Sequence, residues 1–311
     1  SYGLSTSECE IVARISEGLA PATIAEMRNS SVATVRTQIK KILQKTGTNS
    51  QTELTALLMN VRRLAERHDN HQGLPEKTKD DLHRVTVNGR QMDVELHGPE
   101  SGDPVIFLHG MLDGTGITHA CQDHLQSLGL RLICPHRPGF GKSEADPGPF
   151  ETAPDRFAAD LVEMCRSFKV KRPLVLGHMG GSVFAFAVAK ALGACGILNV
   201  SGGVPITSKE QFASMTRRQR LVANTARHAP AILPYILRAG IHQLRNGGEL
   251  RFLMSLYEQA PVDLAVLQDM RIRELILAGY RFSVNQGHVP FETDSHLVVR
   301  DWTDRVLSSD V

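Results

Sequence analysis

A chain of 311 residues with 35 Lys and Arg against 33 Asp and Glu has a formal net charge of +2, which excludes a uniformly basic coat for nucleic acid but not a local basic face. Hydrophobic residues make up 41%, enough for a packed core, so wholesale disorder is excluded, and the length allows two or three domains. No apolar run approaches the roughly 20 residues that cross a bilayer, and residues Ser1 to Glu10 lack the apolar centre of a secretory signal.

Residues 1–66 read as short helices. Ser7 is the expected N-cap of a first helix with Ile11, Val12 and Ile15 on one face, Glu8 and Glu10 in its first turn and Gly18 at its end. Pro21 suits the first turn of a second helix, Ala22 to Met27, with Ile24 and Ala25 inward. Asn29-Ser30-Ser31 supplies a turn and an N-cap. A third helix follows from Val32 to Lys45, with Val35, Ile39 and Ile42 or Leu43 as its buried stripe and Gly47 as its stop. A fourth helix is expected from Gln51 to Glu66.

From Arg28 to Thr52 there are basic residues and no acid. Arg36 and Lys40 are four apart and share a face of the third helix with Thr37, opposite its apolar stripe. That is either a solvated cationic face or a helix for the major groove, where Arg and Lys pair with guanine edges. In the second case Thr34, Lys41, Lys45 and the Ser50-Gln51 turn are candidate phosphate contacts.

Leu4, Glu8, Glu10, Gly18, Ile24-Ala25, Ser31, Thr34-Val35-Arg36, Ile42, Lys45 and Gly47, in that order, resemble the helix-turn-helix of the LuxR/GerE transcription regulators. The resemblance implies that the third helix reads DNA through Arg36, Thr37 and Lys40. It also implies that the fourth helix, around Leu54, Leu57, Leu58 and Val61, forms a homodimer contact. Asn29 and Ser30 depart from the family's Gly and apolar pair, and Asn tolerates the left-handed turn.

Residues 67–83 are polar, charged and broken by Gly73 and Pro75, a linker composition. His68, His71 and His83 have no tight ligand spacing, so solvated residues are expected there, and no metal or cofactor. From residue 84 apolar runs alternate with helical stretches, which points to a mostly parallel sheet. Val105–Leu108 ends at His109-Gly110-Met111. Leu132–Cys134 leads into Pro135-His136 and Arg137-Pro138-Gly139-Phe140-Gly141-Lys142-Ser143. Leu174–Leu176 runs into Gly177-His178-Met179-Gly180-Gly181, and Ile197–Val200 is a fourth strand.

These motifs resemble the α/β-hydrolase fold, a doubly wound parallel sheet, over residues 84–206. The family's G-x-S-x-G turn holds a nucleophilic serine on a strained elbow. Here the position holds Met179, whose thioether forms no acyl-enzyme, and Ser182, inside the next helix, should point elsewhere. The resemblance implies an oxyanion-like pocket floor from the backbone N–H groups of Met111 and Gly180, lined also by Gly110, His178 and Met179, with no catalytic nucleophile.

The acid and base that should come late in the chain have weak imitations, Leu275–Gly279 and Gln286–Glu292. They lie too close together for a helix between two strands. A helical cap over residues 207–311 is expected instead. Its Arg217, Arg218, Arg220 and Arg227 are either solvated or anion contacts at the pocket rim, and Trp302 resembles a cap's end. The chain is then expected to stop before the last strands, leaving 197–200 as an open edge, and its start at Ser1 suggests that it was cut from something longer. Cys9, Cys121, Cys134, Cys165 and Cys195, odd in number and widely spaced, suit buried thiols in a reducing cytoplasm.

The function expected from these features is a DNA-binding transcription regulator whose hydrolase-like part senses a small-molecule effector or mediates dimerisation, without membrane association. The alternatives are an esterase-like hydrolase with a DNA-binding appendage, or a fragment with no independent function.

Overall fold

The computed structural model describes residues 5–16, 19–48, 50, 53–54, 81–257 and 260–307. The chain divides into two units, Ser1–Gly73 and Leu74–Val311.

In the first unit, α1 (Thr6–Ser16), α2 (Pro21–Met27) and α3 (Val32–Thr46) pack around Ile11, Ile15, Ile24, Ala25, Val35, Ile39 and Ile42. The start of α1 differs from expectation. Ser5, not Ser7, caps it: the Ser5 N–H donates to Glu8 Oε2 (2.7 Å) and the Glu8 N–H donates to Ser5 Oγ (3.3 Å), a reciprocal capping box. The Ser7 hydroxyl instead accepts from Arg28 (2.7 Å) and Gln38 (3.1 Å), tying α1 to the two helices that follow. Asn29 takes φ 50° in the turn. Ser31 caps α3 by accepting from the Thr34 N–H (3.1 Å), and left-handed Gly47 closes the helix onto Leu43. Gly18 and nearly all of the fourth helix, Leu57, Leu58 and Val61 included, lie outside the described residues. Leu54 is described and is fully buried in this unit's own core, so it is not on offer to a second copy.

The second unit contains a six-stranded sheet in the order β1-β2-β4-β3-β5-β6. A hairpin opens it, ahead of the parallel strands expected from the sequence. β1 (Leu82–Val87) pairs antiparallel with β2 (Arg90–His97) across Asn88-Gly89, both at positive φ, the pairing expected of a type I′ turn. Leu82 and His83 therefore belong to a strand and not to a linker. β2 also runs antiparallel to β4 (Leu130–Pro135). The other strands are parallel: β3 (Asp103–Leu108) lies between β4 and β5 (Leu174–His178), and β6 (Gly196–Val200) follows β5.

Side chains alternate across the sheet as strand geometry requires. Ile106, Leu108, Ile133 and Val175 pack with α5 (Ala153–Ser167) and α6 (Ser182–Leu192) on one face. Val105, Phe107, Leu132, Leu174 and Leu176 pack on the other with Leu125 of α4 (His119–Leu128). β3 connects to β4 on one side while β5 lies on its other side, so the direction of winding reverses at the carboxyl ends of β3 and β5. That is the switch point at which open α/β sheets place their sites.

Residues 207–307 are helical where described: α7 (Lys209–Ser214), α8 (Arg217–His228), α9 (Leu233–Gln243), α10 (Glu249–Leu256), α11 (Pro261–Val266), α12 (Met270–Val284), α13 (Val289–Val298) and α14 (Thr303–Leu307). Leu275–Gly279 thus lies within a helix, and Gln286–His288 is the turn between α12 and α13. Phe140, from the loop after β4, is buried in the core of these helices and so links them to the end of the sheet. Trp302 instead joins the sheet's own core beside Phe186.

Among the described residues β6 pairs with β5 alone, and Leu198 and Val200 are exposed. Cys134 and Cys165 are buried, and burial pushes the Cys165 thiol up to about 12. Cys195 is exposed, against expectation. No described helix is long and apolar enough to cross a membrane.

The β5–α6 turn packs hardest at Gly181, where a Cβ would stand 2.1 Å from the Leu108 carbonyl oxygen. Gly181→Ala is expected to lower stability by about 3 kcal/mol, the upper part of the usual overpacking range, read as a drop in the urea midpoint without a change in slope.

Candidate functional site

β5 ends at His178, and a single helical turn, Met179–Gly181, leads into α6. Met179 takes φ 47°, a left-handed conformation that a non-glycine side chain adopts only under constraint. The constraint is packing. A Cβ on Gly177 would lie 2.8 Å from the Ala185 Cβ, and Gly181 is pressed against β3, so the turn between them is forced to be sharp. Met179 is 39% exposed at its apex. The elbow is present, and its side chain has no proton to lose. Ser182 is fully buried and donates its hydroxyl hydrogen bond to Asn199 Oδ1, so it does not replace the nucleophile.

The turn after β3 faces the elbow. A Cβ on Gly110 would come within 2.9 Å of the Met179 Cβ, and one on Gly180 within 3.9 Å of the Met111 nitrogen. Gly110, Met111, His178, Met179 and Gly180 therefore do converge. The Met111 N–H has no partner among the described residues. One neighbour was not anticipated: the same Cβ on Gly180 would lie 3.6 Å from Asp294 Oδ2. The pocket floor is accordingly shared with a carboxylate.

Asp294 comes from α13 and is bound in bidentate fashion by Arg137, with both contacts at 2.7 Å. Arg137 is 1% exposed. It also donates to the Gly110 carbonyl (3.0 Å) and lies between the rings of Phe140 and Phe184, 4.6 and 4.5 Å from their centroids. A cleft beside the pair is lined by Arg137, Phe140, Phe184, Arg156, Pro290 and Asp294, but not by His178 or Met179. The family pattern places the acid after a strand, with a partner histidine. The structure puts the acid on a helix, against an arginine. An arginine in an apolar loop that needs a buried counter-ion was the available signal.

Two histidines are fixed behind the turn. His109 is fully buried; its Nδ1–H donates to the Gly110 carbonyl (2.8 Å), and its Nε2 accepts from the Arg137 N–H (3.1 Å). Burial, reinforced by the Arg137 charge, holds its pKa down to about 3, so the ring is neutral. His136 is hydrogen-bonded to Glu95 (2.9 Å).

A third histidine is at the mouth. His178 Nδ1–H donates to Asp113 Oδ2, an oxygen that also accepts from the Gly110 N–H (2.9 Å). Burial opposes ionisation of Asp113. The His178 hydrogen bond and the Gly110 N–H outweigh it and keep the carboxyl below its usual range. The loop carrying Asp113 is held by α12, where a Cβ on Gly279 would meet the Asp113 carbonyl at 2.3 Å. Asp113 was not singled out from sequence, although it lies three residues beyond the His-Gly turn.

On the helical unit Thr34, Arg36, Thr37, Lys40 and Lys41 are exposed along α3, opposite Val35, Ile39 and Ile42. Two of the hydroxyls have local partners: Thr34 shares a hydrogen bond with Ser31, and Thr37 donates to the Ala33 carbonyl. Lys45 differs from the expected phosphate contact. Its ammonium is bonded to Glu8 at 2.6 Å, and Glu8 is held down to about 2, first by that bond and then by the Ser5 N–H. In the cap, Arg220 bonds the carbonyls of Ala213 and Met215, and Arg227 that of Thr207; Arg217 and Arg218 are exposed.

Residues 103–192 match the family model of the alpha/beta hydrolase fold, and residues 3–58 that of bacterial regulatory proteins, luxR family. An epoxide hydrolase 2 of Siraitia grosvenorii is 30% identical over 102 residues, which are 33% of this chain and 32% of that protein. A serine hydrolase-like protein of Danio rerio is 26% identical over 138 residues, 43% of this chain and 42% of the relative. The chain thus spans less than half the length of these curated relatives. Among solved structures, the epoxide hydrolase CorEH superposes with a TM-score of 0.47 at 20% identity, covering 70% of this chain and 75% of that one.

Two outcomes follow from the buried groups. Between pH 6.5 and about 3 the unfolded chain protonates His109 and the folded chain does not, so this residue makes stability fall as pH falls, by about 1.4 kcal/mol per pH unit. His109→Gln should be less stable at pH 7 yet flatter between pH 7 and 5, compared by urea denaturation. Asp294→Ala leaves the Arg137 charge buried without its partner and should cost roughly 3–5 kcal/mol, whereas Arg137→Met with Asp294→Leu should recover most of that loss.

Proposed function

Since the chain joins a luxR-family domain to an alpha/beta-hydrolase fold, we propose that it is a DNA-binding transcription regulator whose hydrolase-fold unit binds a small molecule without forming a covalent bond to it. The observation that carries this reading is the elbow. Packing at Gly177 and Gly181 keeps the site's shape, while Met179 at its apex removes the nucleophile. Shape without the attacking group is what a ligand sensor needs. Gly110, Met111, His178, Met179 and Gly180 are the proposed lining, with no cofactor or metal.

DNA would be met by α3. Its apolar back is buried and its front exposes Arg36, Thr37 and Lys40 at the spacing of one helix face. In the major groove Arg36 and Lys40 would read base edges, and Thr34 and Lys41 would contact phosphates. Lys45, bound to Glu8, is left out of the set. A homodimer on two half-sites is the form in which such a helix gains affinity; it would use residues beyond Leu54. The place of action is the cytoplasm, where the DNA is.

Selection of bound duplexes from a random pool by the full chain, followed by fluorescence anisotropy at two salt concentrations, tests the proposal. A sequence bound clearly tighter than random duplex is expected. Arg36→Ala with Lys40→Ala should erase that margin, and Lys41→Ala should weaken all sequences alike and lower the salt slope by about one. Equal, weak binding to every duplex, unchanged by these substitutions, would sink it.

A further inference from the structure

Loss of the elbow nucleophile leaves an intact acid–base pair at the same mouth. His178 is a quarter exposed, and its Nδ1–H is committed to Asp113 Oδ2. That bond fixes the tautomer and orients the ring, leaving Nε2 as the open acceptor, with no hydrogen-bond partner among the described residues. Asp113 is itself held, by the Gly110 N–H on the same oxygen and by the packing of α12 on its loop. The Met111 N–H, without a partner among the described residues, lies across the elbow beside Gly180. A base anchored by a carboxylate, with backbone donors beside it, is the constellation that activates water against a carbonyl.

We propose that His178, positioned by Asp113, acts as a general base that adds water directly to neutral carboxylic esters bound at the elbow, with no acyl-enzyme. Nε2 takes a proton from water as the water oxygen bonds to the carbonyl carbon. The carbonyl oxygen takes the negative charge, facing the N–H groups of Met111 and Gly180. The carbon–oxygen bond to the alcohol then breaks, and the departing alkoxide receives the proton from Nε2. Ester and water give acid and alcohol, and the chain returns unchanged. His178 is the catalytic residue and Asp113 a positioning residue.

The substrate class follows from the surroundings. Met179, Met111 and Phe107 offer apolar surface, with the Phe107 ring centroid 6.3 Å from that of His178. The Asp113 carboxylate at the mouth disfavours an anionic substrate, whereas the charge of Asp294 is balanced by Arg137. The other titratable groups around the pair are His109, held neutral, and Tyr257, whose hydroxyl is pushed up by burial and by the charges of Asp263 and Asp113.

Steady-state hydrolysis of phenyl acetate by the purified full chain tests this. Saturable turnover is expected, slower in heavy water, with no burst and no acetyl adduct in the intact mass. His178→Ala should lower kcat about 100-fold with KM little changed, and added imidazole should restore part of the loss. His178→Gln keeps a donor for Asp113 and lacks the base, so it should fold with the wild-type urea midpoint and still lose the same activity. Asp113→Asn should lower kcat and move the midpoint of the pH–rate profile to lower pH. Cys195→Ser, which removes an exposed thiol far simpler to acylate, should change nothing. The proposal is overturned by turnover no faster than buffer, by full activity in His178→Gln, or by an acetyl adduct that turns over. Selective DNA binding retained by His178→Gln would separate this result from the regulator reading.

Discussion

A guanidinium at 1% exposure demands a counter-ion and partners for its N–H groups, and the end of the sheet is organised around meeting that demand at the two terminal nitrogens, leaving Nε without a partner among the described residues. Arg137 leaves β4 and reaches Asp294 on α13, the Gly110 carbonyl after β3, and the rings of Phe140 and Phe184. One side chain thereby joins the loop after β4, the turn after β3, a sheet-covering helix and a cap helix. The pair is not a cheap source of stability, since two desolvated charges recover little beyond the cost of burying them. Its consequence is registry: α13 can sit in few other positions without stranding a charge. The same bridge sets a carboxylate beside Gly180 with its charge balanced by the guanidinium, so the backbone donors of the elbow do not face a bare negative charge.

What the sequence disclosed was whatever depends on local pattern. The apolar runs ending in glycine became β3 to β6, and Val35, Ile39 and Ile42 became the buried stripe of α3, because burial periodicity is set by the helix and strand repeats themselves. The β1–β2 hairpin was legible too, in Asn88-Gly89, but Leu82 and His83 looked like linker beside so polar a neighbourhood. Leu275–Gly279 shows the opposite ambiguity. A short apolar run does not tell a strand from a helix, and only its continuation from Met270 to Val284 decides it.

The long-range pairs were hidden for a different reason. Arg137 and Asp294 are 157 positions apart, and His178 and Asp113 are 65 apart. No spacing rule connects such residues; they meet only once strands and cap are in place. On α3 the same limit appears in miniature. Lys45 belongs to the acid-free run that makes this helix basic, which is all that local sequence shows of it. Its pairing with Glu8, across 37 positions, is a tertiary fact, and it ties that charge to α1.

The strained apex at Met179 tempts the inference that strain means catalysis. Here the packing gives another cause. Gly177 against Ala185 and Gly181 against the Leu108 carbonyl force the chain to reverse sharply whatever residue stands between them. The left-handed φ at position 179 is then imposed by its neighbours, at a cost of about 1–2 kcal/mol for any side chain. Strain at the elbow therefore says nothing about the chemistry, and the chemistry must be read from the groups that reach solvent there. Met179 offers a polarizable apolar surface and no proton. His178, next to it and anchored from behind by Asp113, offers a basic nitrogen in its place.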